Sequence, residues 1–321
     1  MAALSDRRPD AIVSLRNVRP EQLAPTLDEQ IAEWRADLNW DFTASADLVR
    51  RFSKLQALDG LALLVGPHIA GYTYSVAEDG KGLIGDLYVS PRYRSIERED
   101  ALLRGVLDSI WRLPGMRRIE SQLMMLESPL ERPVPDPLWF RSYERYYFEA
   151  PLAGALRLPA LEPARATIAP WLERYQDAAA RVIASSYAGH VDSDINDQYR
   201  SAYGARRFLT NIVQYPGCGA FFAPASFLAL DCADGSACGV CLSSMVAPGS
   251  GHITQVCVTP PHRGAGLGRE LVRRSLLALA AHGARTASLT VTAANTAAIR
   301  LYGELGFVNR RRFAAYVWER G

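Results

Sequence analysis

The sequence predicts two successive α/β domains. Three observations carry that expectation. A chain of 321 residues with 49% hydrophobic content is long for one core and ample for two. Strand-like and helix-like patterns alternate along it. The first half also holds a faded copy of the second. Leu87-Tyr88-Val89-Ser90-Pro91-Arg92-Tyr93-Arg94 answers to Val256-Cys257-Val258-Thr259-Pro260-Pro261-His262-Arg263, each residue 169 positions further on. A helix-like run follows both copies, and self-similarity at a fixed offset marks duplicated structure.

The elements follow in order. Residues 12–18 read as a strand, from their β-branched and apolar content. Residues 27–34 and 46–55 carry helical apolar spacing. Strands are expected at 61–65, 69–76 and 83–89, a helix at 100–112 and a strand at 119–126. An aromatic tail spans residues 139–148. The Pro-rich run Leu158-Pro159-Ala160-Leu161-Glu162-Pro163 reads as a linker. Helices are then expected at 171–187, 194–203 and 206–213, and strands at 226–230, 239–246 and 252–258. A helix at 269–281 and a strand at 286–292 complete the pattern. The expected division is a tail at 1–10, a first domain at 11–157, a linker at 158–165 and a second domain at 166–321.

Composition narrows the function. A net charge of +2 argues against nucleic acid or a membrane surface as partner. No apolar run approaches 18 residues and residues 1–10 lack a signal-peptide core, so a cytoplasmic protein is expected. Five cysteines, an odd number, argue against a disulfide framework. Cys238-Gly-Val-Cys241 has zinc-like spacing but no second close pair completes four ligands. No metal is expected, and this pair reads as buried thiols on a strand.

Chemistry concentrates in His262-Arg263-Gly264-Ala265-Gly266-Leu267-Gly268. This run follows a strand and opens a helix. Glycines let successive N–H groups turn inward, and the helix start adds partial positive charge, so the turn suits a phosphate or pyrophosphate. A nucleotide P-loop would end in Gly-Lys-Ser/Thr, but Gly268 precedes Arg269-Glu270. The spacing Gly264, Gly266, Gly268 also differs from a G-x-G-x-x-G dinucleotide fingerprint. Arg-x-x-Gly-x-Gly, as Arg263, Gly266 and Gly268, fits. Downstream, Asn295-x-x-Ala298-x-x-x-Tyr302 precedes Gly306-Phe307. These two motifs, in this order, resemble the GNAT acyltransferases, and the duplicated copy resembles the tandem members of that family. The resemblance is good over residues 226–321.

The resemblance implies, for each domain, a mostly antiparallel mixed sheet flanked by helices. It also implies an N-acetyltransferase with acetyl-CoA as acyl donor, working in the second domain on the amine of a small molecule. Arg263 and the N–H groups from Gly264 through Ala265, Gly266, Leu267 and Gly268 to Arg269 would grip the pyrophosphate. The backbone of Val256, Cys257 and Val258 would follow the pantetheine arm. Asn295 and Ala298 would flank that arm, although Asn295 equally reads as a helix cap. Tyr302 is the candidate general acid for the departing thiolate. Family members often place a Glu eight residues before the loop's Pro; here His252 stands there. An imidazole can accept a proton near neutrality, and His190 and Asp192 stay open as alternatives. Tyr187, His190, Asp192, Asp194 and Tyr199 mix aromatic and acidic groups and form the candidate acceptor site. Asp194 also reads as an N-cap.

The copies differ where it matters. Glu97 and Glu99 stand where Gly266 and Gly268 stand in the second half. Two carboxylates disfavour a pyrophosphate, so the first domain is expected not to bind CoA in the usual way. They equally suit a solvated helix start. Three further readings are open: a mycothiol-synthase-like enzyme, a protein N-acetyltransferase, and a non-catalytic acyl-CoA sensor or scaffold.

Overall fold

The computed structural model describes residues 10–215 and 217–320. Nearly all of the tail expected at 1–10 lies outside the described residues. The first elements are β1 (Ala11–Ser14), α1 (Pro20–Leu38), α2 (Thr43–Lys54), β2 (Asp59–Val65), β3 (His68–Glu78), β4 (Lys81–Val89) and α3 (Ile96–Trp111). Next come β5 (Arg118–Leu123), β6 (Phe140–Pro151), β7 (Ala166–Pro170), α4 (Gln176–Tyr187), α5 (Asp192–Ile195) and α6 (Ala202–Gln214). The remainder is β8 (Ala220–Phe221), β9 (Phe227–Asp231), β10 (Ala237–Ala247), β11 (Ser250–Val258), α7 (Leu267–Ala281), β12 (Thr286–Thr292), α8 (Thr296–Glu304) and β13 (Val308–Glu319).

The chain divides into two compact units. The first comprises residues 1–36, 45–144 and 313–321, the second residues 37–44 and 145–312. The first unit's sheet runs β1, β2, β3, β4, β5 and then the 313–319 part of β13. The second unit's sheet runs β7, β9, β10, β11, β12 and then the 145–151 part of β6, with β8 pairing β10. Each sheet is antiparallel except for one parallel pair, β4 with β5 and β11 with β12. These are the mixed sheets the resemblance implied. The expected segments 11–157 and 166–321 supply the bulk of the two units, but the sixth strand of each comes from the other half of the chain. Local pattern shows that β6 and β13 are strands; it does not show which sheet they join.

In the first unit, α3 buries Leu102, Leu103, Val106, Leu107 and Ile110 against one face of the sheet. Thr26 and Gln30 of α1 hydrogen-bond Ile69 O and the Asp86 carboxylate. In the second, α7 and α8 pack with Ile253, Leu289 and Val291 in one core. Helices α4 and α6 pack with Val240 and Leu242 in another. The helix expected at 194–203 is broken. Asn196 and Ser201 adopt extended backbone and their side chains accept from Gln198 N and Gly204 N, ending one turn and capping the next. Cys238 and Cys241 are buried and free.

Candidate active site

The parallel ladder between β11 and β12 lasts only from Ser250 opposite Thr286 to Ile253 opposite Leu289. The pairing then stops and leaves a wedge. Against β10, Ile253 pairs Ser243 and Gln255 pairs Leu242, so Thr254 is the extra residue of a β-bulge. Its hydroxyl donates to Leu242 O. The bulge reverses which residues face each side. Ile253 meets the α7 core, as do Val256 and Val258, while Cys257 packs toward α4. The Val256 and Val258 carbonyls accept from the Tyr187 hydroxyl (3.5 Å) and from Arg263 Nε (3.0 Å).

Beyond β11 the chain makes the expected turn. Gly264 and Gly266 have φ of +79° and +77°, which L side chains rarely adopt. A Cβ at Gly266 would lie 2.9 Å from Leu161 Cδ1. Gly266 is the N-cap of α7 and supplies no side-chain cap, so the first N–H groups of the helix are left for an external acceptor. Arg263 also donates from Nη2 to Ser186 O at 2.6 Å, so its guanidinium braces the loop against β11 and α4. Glu270, buried in the helix's first turn, is tied to Arg273, Arg274 and Leu161 N. Burial alone would raise its pKa; those bonds outweigh it and hold the carboxyl near about 2.

A cavity of about 520 Å³ joins these parts. Its wall includes Val256, Cys257, Val258, Arg263, Gly264, Gly266, Leu267, Gly268 and Arg269 from the strand and loop. Asn295, Ala298 and Tyr302 line it from α8, and Tyr187 and His190 from the end of α4 and the turn after it. Ala265 is exposed and outside the wall. Asn295 caps α8 by accepting from Ala298 N at 3.2 Å, so it both caps and lines. Tyr302 is 8% exposed, and its hydroxyl pKa is pushed up by burial and then by Cys241, Asp192 and Cys257. It stays protonated at neutral pH.

The acceptor candidates separate. The Tyr187 ring stacks on Tyr199 at 4.5 Å with His190 edge-on at 5.3 Å. Gln255 joins the two tyrosine hydroxyls, donating to Tyr187 and accepting from Tyr199. Tyr199 and Asp192 therefore stand behind the wall. Asp192 accepts from the Thr292 hydroxyl, lies 3.9 Å from Arg145 Nη1, and its own N–H donates to His190 Nδ1 at 3.1 Å. Asp194 sits 3.8 Å from Arg200 and does not line the cavity.

His252 is placed elsewhere. It is 5% exposed, lies outside the cavity wall, and meets Trp40 edge-on at 4.9 Å and Tyr147 at 6.3 Å. Its Nδ1 bonds Ser288 Oγ at 2.9 Å. Burial drives its pKa down to about 3, so it is a neutral packing residue in this position. Sequence reasoning missed Ser186 and His262 in the wall. His262 bonds Asp231 through Nε2 (2.7 Å) and Thr259 through Nδ1 (3.0 Å). Its place directly before Arg263 was the available signal; Ser186 had none.

The first unit repeats the scaffold with different side chains at the loop. Arg94 Nε donates to Val89 O at 3.1 Å, as Arg263 does to Val258. Arg94 is also held bidentately by Glu33, which accepts from the Tyr88 hydroxyl. Ser95 caps α3. Glu99, 1% exposed, is bound by Arg132 at 2.7 Å and accepts from Glu127 N. Here a buried ion pair stands where the second unit has glycine. Glu97 is exposed.

Residues 191–307 match the Acetyltransferase (GNAT) family. A mycothiol acetyltransferase of Thermobispora bispora is 29% identical over 270 residues, covering 77% of this chain and 79% of that protein. These matches place residues 191–307 among the GNAT acetyltransferases. The chain is an acyltransferase. A GCN5-related N-acetyltransferase from Sphaerobacter thermophilus shares the fold, with a TM-score of 0.69 at 19% identity, covering 99% of this chain and 97% of that one. So does a tandem GNAT protein from the clavulanic acid biosynthesis pathway, with a TM-score of 0.60 at 18% identity, covering 98% of this chain and 99% of that one. Among the described residues, no helix is long and apolar enough to cross a membrane.

Proposed function

We propose that the second unit transfers an acetyl group from acetyl-CoA to the amine of a small molecule in the cytoplasm. One observation carries the reading. A single cavity wall joins the uncapped glycine loop, the bulged end of β11 and the buried Tyr302 hydroxyl. The loop N–H groups would hold the pyrophosphate, with Arg263 fixing the loop's shape. The backbone of Val256 to Val258, beyond the last pair with β12, would follow the pantetheine arm, and Asn295 and Ala298 would border it. Tyr302, protonated at neutral pH, would give its proton to the departing thiolate. Tyr187 and His190 would face the acceptor. The first unit, with Arg94 paired to Glu33 and Glu99 to Arg132 at the corresponding loop and helix start, would bind no CoA.

The relatives matching most of the chain are named for mycothiol, a small molecule, which supports a small acceptor over a polypeptide. A mycothiol-type acceptor is the second reading. The test is a calorimetric titration with acetyl-CoA, beside turnover of a Tyr302→Phe variant. One site per chain is expected. Turnover of the variant should fall about 10²–10⁴-fold with acetyl-CoA affinity little changed. Two sites would mean the first unit also binds, and unchanged turnover would remove Tyr302 from the chemistry.

A further inference from the structure

We propose that residues 158–161 form a strap, latched by Glu270, that holds the glycine loop in its pyrophosphate-gripping shape. Leu161 is the strap's contact with the loop and a positioning residue for acetyl-CoA. The proposal rests on the acetyl-CoA reading of the second unit and adds to it residues from outside both motifs.

The run read from the sequence as a linker is fastened along its first half. Leu158 packs into the α7 core. Pro159 O accepts from Arg269 Nη1 at 3.0 Å. The Leu161 N–H donates to Glu270 Oε2 at 3.1 Å. These bonds seat Leu161 Cδ1 against Gly266, 2.9 Å from where a Cβ would lie. Gly266 is the left-handed residue that caps α7. Residues 158–161 do not line the cavity, so the strap bears on the loop from outside it.

Glu270 makes the latch. It is 0% exposed, and its carboxylate accepts four bonds. Oε2 takes Leu161 N and Arg273 Nε (2.7 Å). Oε1 takes Arg273 Nη2 (2.7 Å) and Arg274 Nε (3.0 Å). Those donors fill the lone-pair directions of a carboxylate. A glutamate in a helix's first turn can bend back onto the free N–H groups there and compete with an anion for them. Glu270 has no acceptor position left for that, and two guanidiniums offset its charge. The N–H groups stay available, and the same carboxylate ties down the strap.

The consequence is preorganisation. A Gly-Ala-Gly turn samples many backbone shapes, and ordering it on binding subtracts from affinity. Leu161, seated on Gly266, removes part of that freedom beforehand. The strap therefore sets how tightly the pyrophosphate is held and leaves the pantetheine arm alone.

The test uses the full-length protein and equilibrium binding, so no acceptor is needed. Leu161→Ala removes the contact without changing charge, and Leu161→Met keeps an apolar side chain there. Leu161 is 38% exposed, so its truncation costs the fold little. The probes are CoA and pantetheine, the same arm without the pyrophosphate, measured by competition with CoA. Leu161→Ala should bind CoA about tenfold more weakly than the parent, Leu161→Met should stay within about threefold, and both should bind pantetheine as the parent does. Hydrogen exchange at the Leu161 amide reports the latch directly. Coupling between strap and ligand is reciprocal, so saturating CoA should slow that exchange about tenfold in the parent. Unchanged CoA affinity in Leu161→Ala, an equal loss for CoA and pantetheine, or amide exchange indifferent to CoA each overturns the strap and leaves CoA binding standing. A parent protein that binds no CoA overturns the acetyl-CoA reading and this proposal together.

Discussion

His252 should set part of the pH dependence of folding while leaving catalysis alone. Its pKa falls from 6.5 to about 3 because burial penalises the imidazolium. For a base with a depressed folded-state pKa, the unfolded chain binds the extra proton first. Stability from this group is therefore complete above pH 6.5 and is lost as pH falls toward about 3. With these two values, the loss between pH 7.5 and pH 5 is about 2 kcal/mol, growing to about 3 kcal/mol at pH 4. The perturbation is His252→Phe, which keeps an aromatic ring between Trp40 and Tyr147 and removes the titration. The assay is denaturant unfolding of both proteins at several pH values. Only the slope against pH is compared, so a constant packing cost of the new ring cancels. The variant should lose about 2 kcal/mol less than the parent between pH 7.5 and 5, and its turnover at pH 7.5 should stay within a few fold. Parallel slopes would refute the buried-imidazole reasoning. A turnover loss beyond tenfold, with removal of an acid limb in kcat, would restore His252 as a base.

Three other outcomes are expected. Gly266→Ala places a Cβ at a left-handed position 2.9 Å from Leu161 Cδ1; strain of about 1–3 kcal/mol should loosen the loop and raise KM for acetyl-CoA more than it lowers stability elsewhere. Asp86 is buried beside Gln30, and desolvation raises its pKa from 3.8 to about 6 despite bonds from Gln30 and Leu87 N. Its contribution is present below pH 3.8 and lost as pH rises through about 6, so Asp86→Asn should narrow the stability difference between pH 4.5 and pH 8 by about 2 kcal/mol in unfolding experiments. Arg132→Ala leaves Glu99 buried without its ion-pair partner and should cost about 3–5 kcal/mol in the first unit, seen as an earlier unfolding transition, while acetyl-CoA titration of the second unit is unchanged.

The shape of the glycine turn and the helical position of Tyr302 were legible because each depends on local sequence. Gly264 and Gly266 do adopt left-handed backbone, and Tyr302 falls three to four residues from the apolar neighbours that seat α8. The bulge was less legible, although a trace of it lies in the sequence. Ile253 and Val256 both face the α7 core, a spacing that strict alternation forbids. His252 was misjudged because counting eight residues back from Pro260 preserves position but not environment. Trp40 and Tyr147, which enclose it, come from distant parts of the chain. This side of the cavity wall was half visible: aromatic and acidic residues cluster between 187 and 199, but only tertiary contacts decide that Tyr187 and His190 line the cavity while Asp192 and Tyr199 stand behind. The Glu99 position was legible as a departure from glycine; its partner Arg132, 33 residues on, was not.

The origin of the sixth strands bears on biosynthesis. Leu123 of β5 meets Ala314 of β13, 191 residues later in the chain. At about 5–20 residues per second, that stretch takes roughly 10–40 s to make. During that time the first unit has emerged almost entirely, yet β5 still lacks its neighbour and presents an unpaired edge. Its sheet can close only once β13 has been made. Truncations before β13 should therefore damage the first unit, the one earliest made, and nascent chains should hold a chaperone-accessible edge until β13 leaves the ribosome.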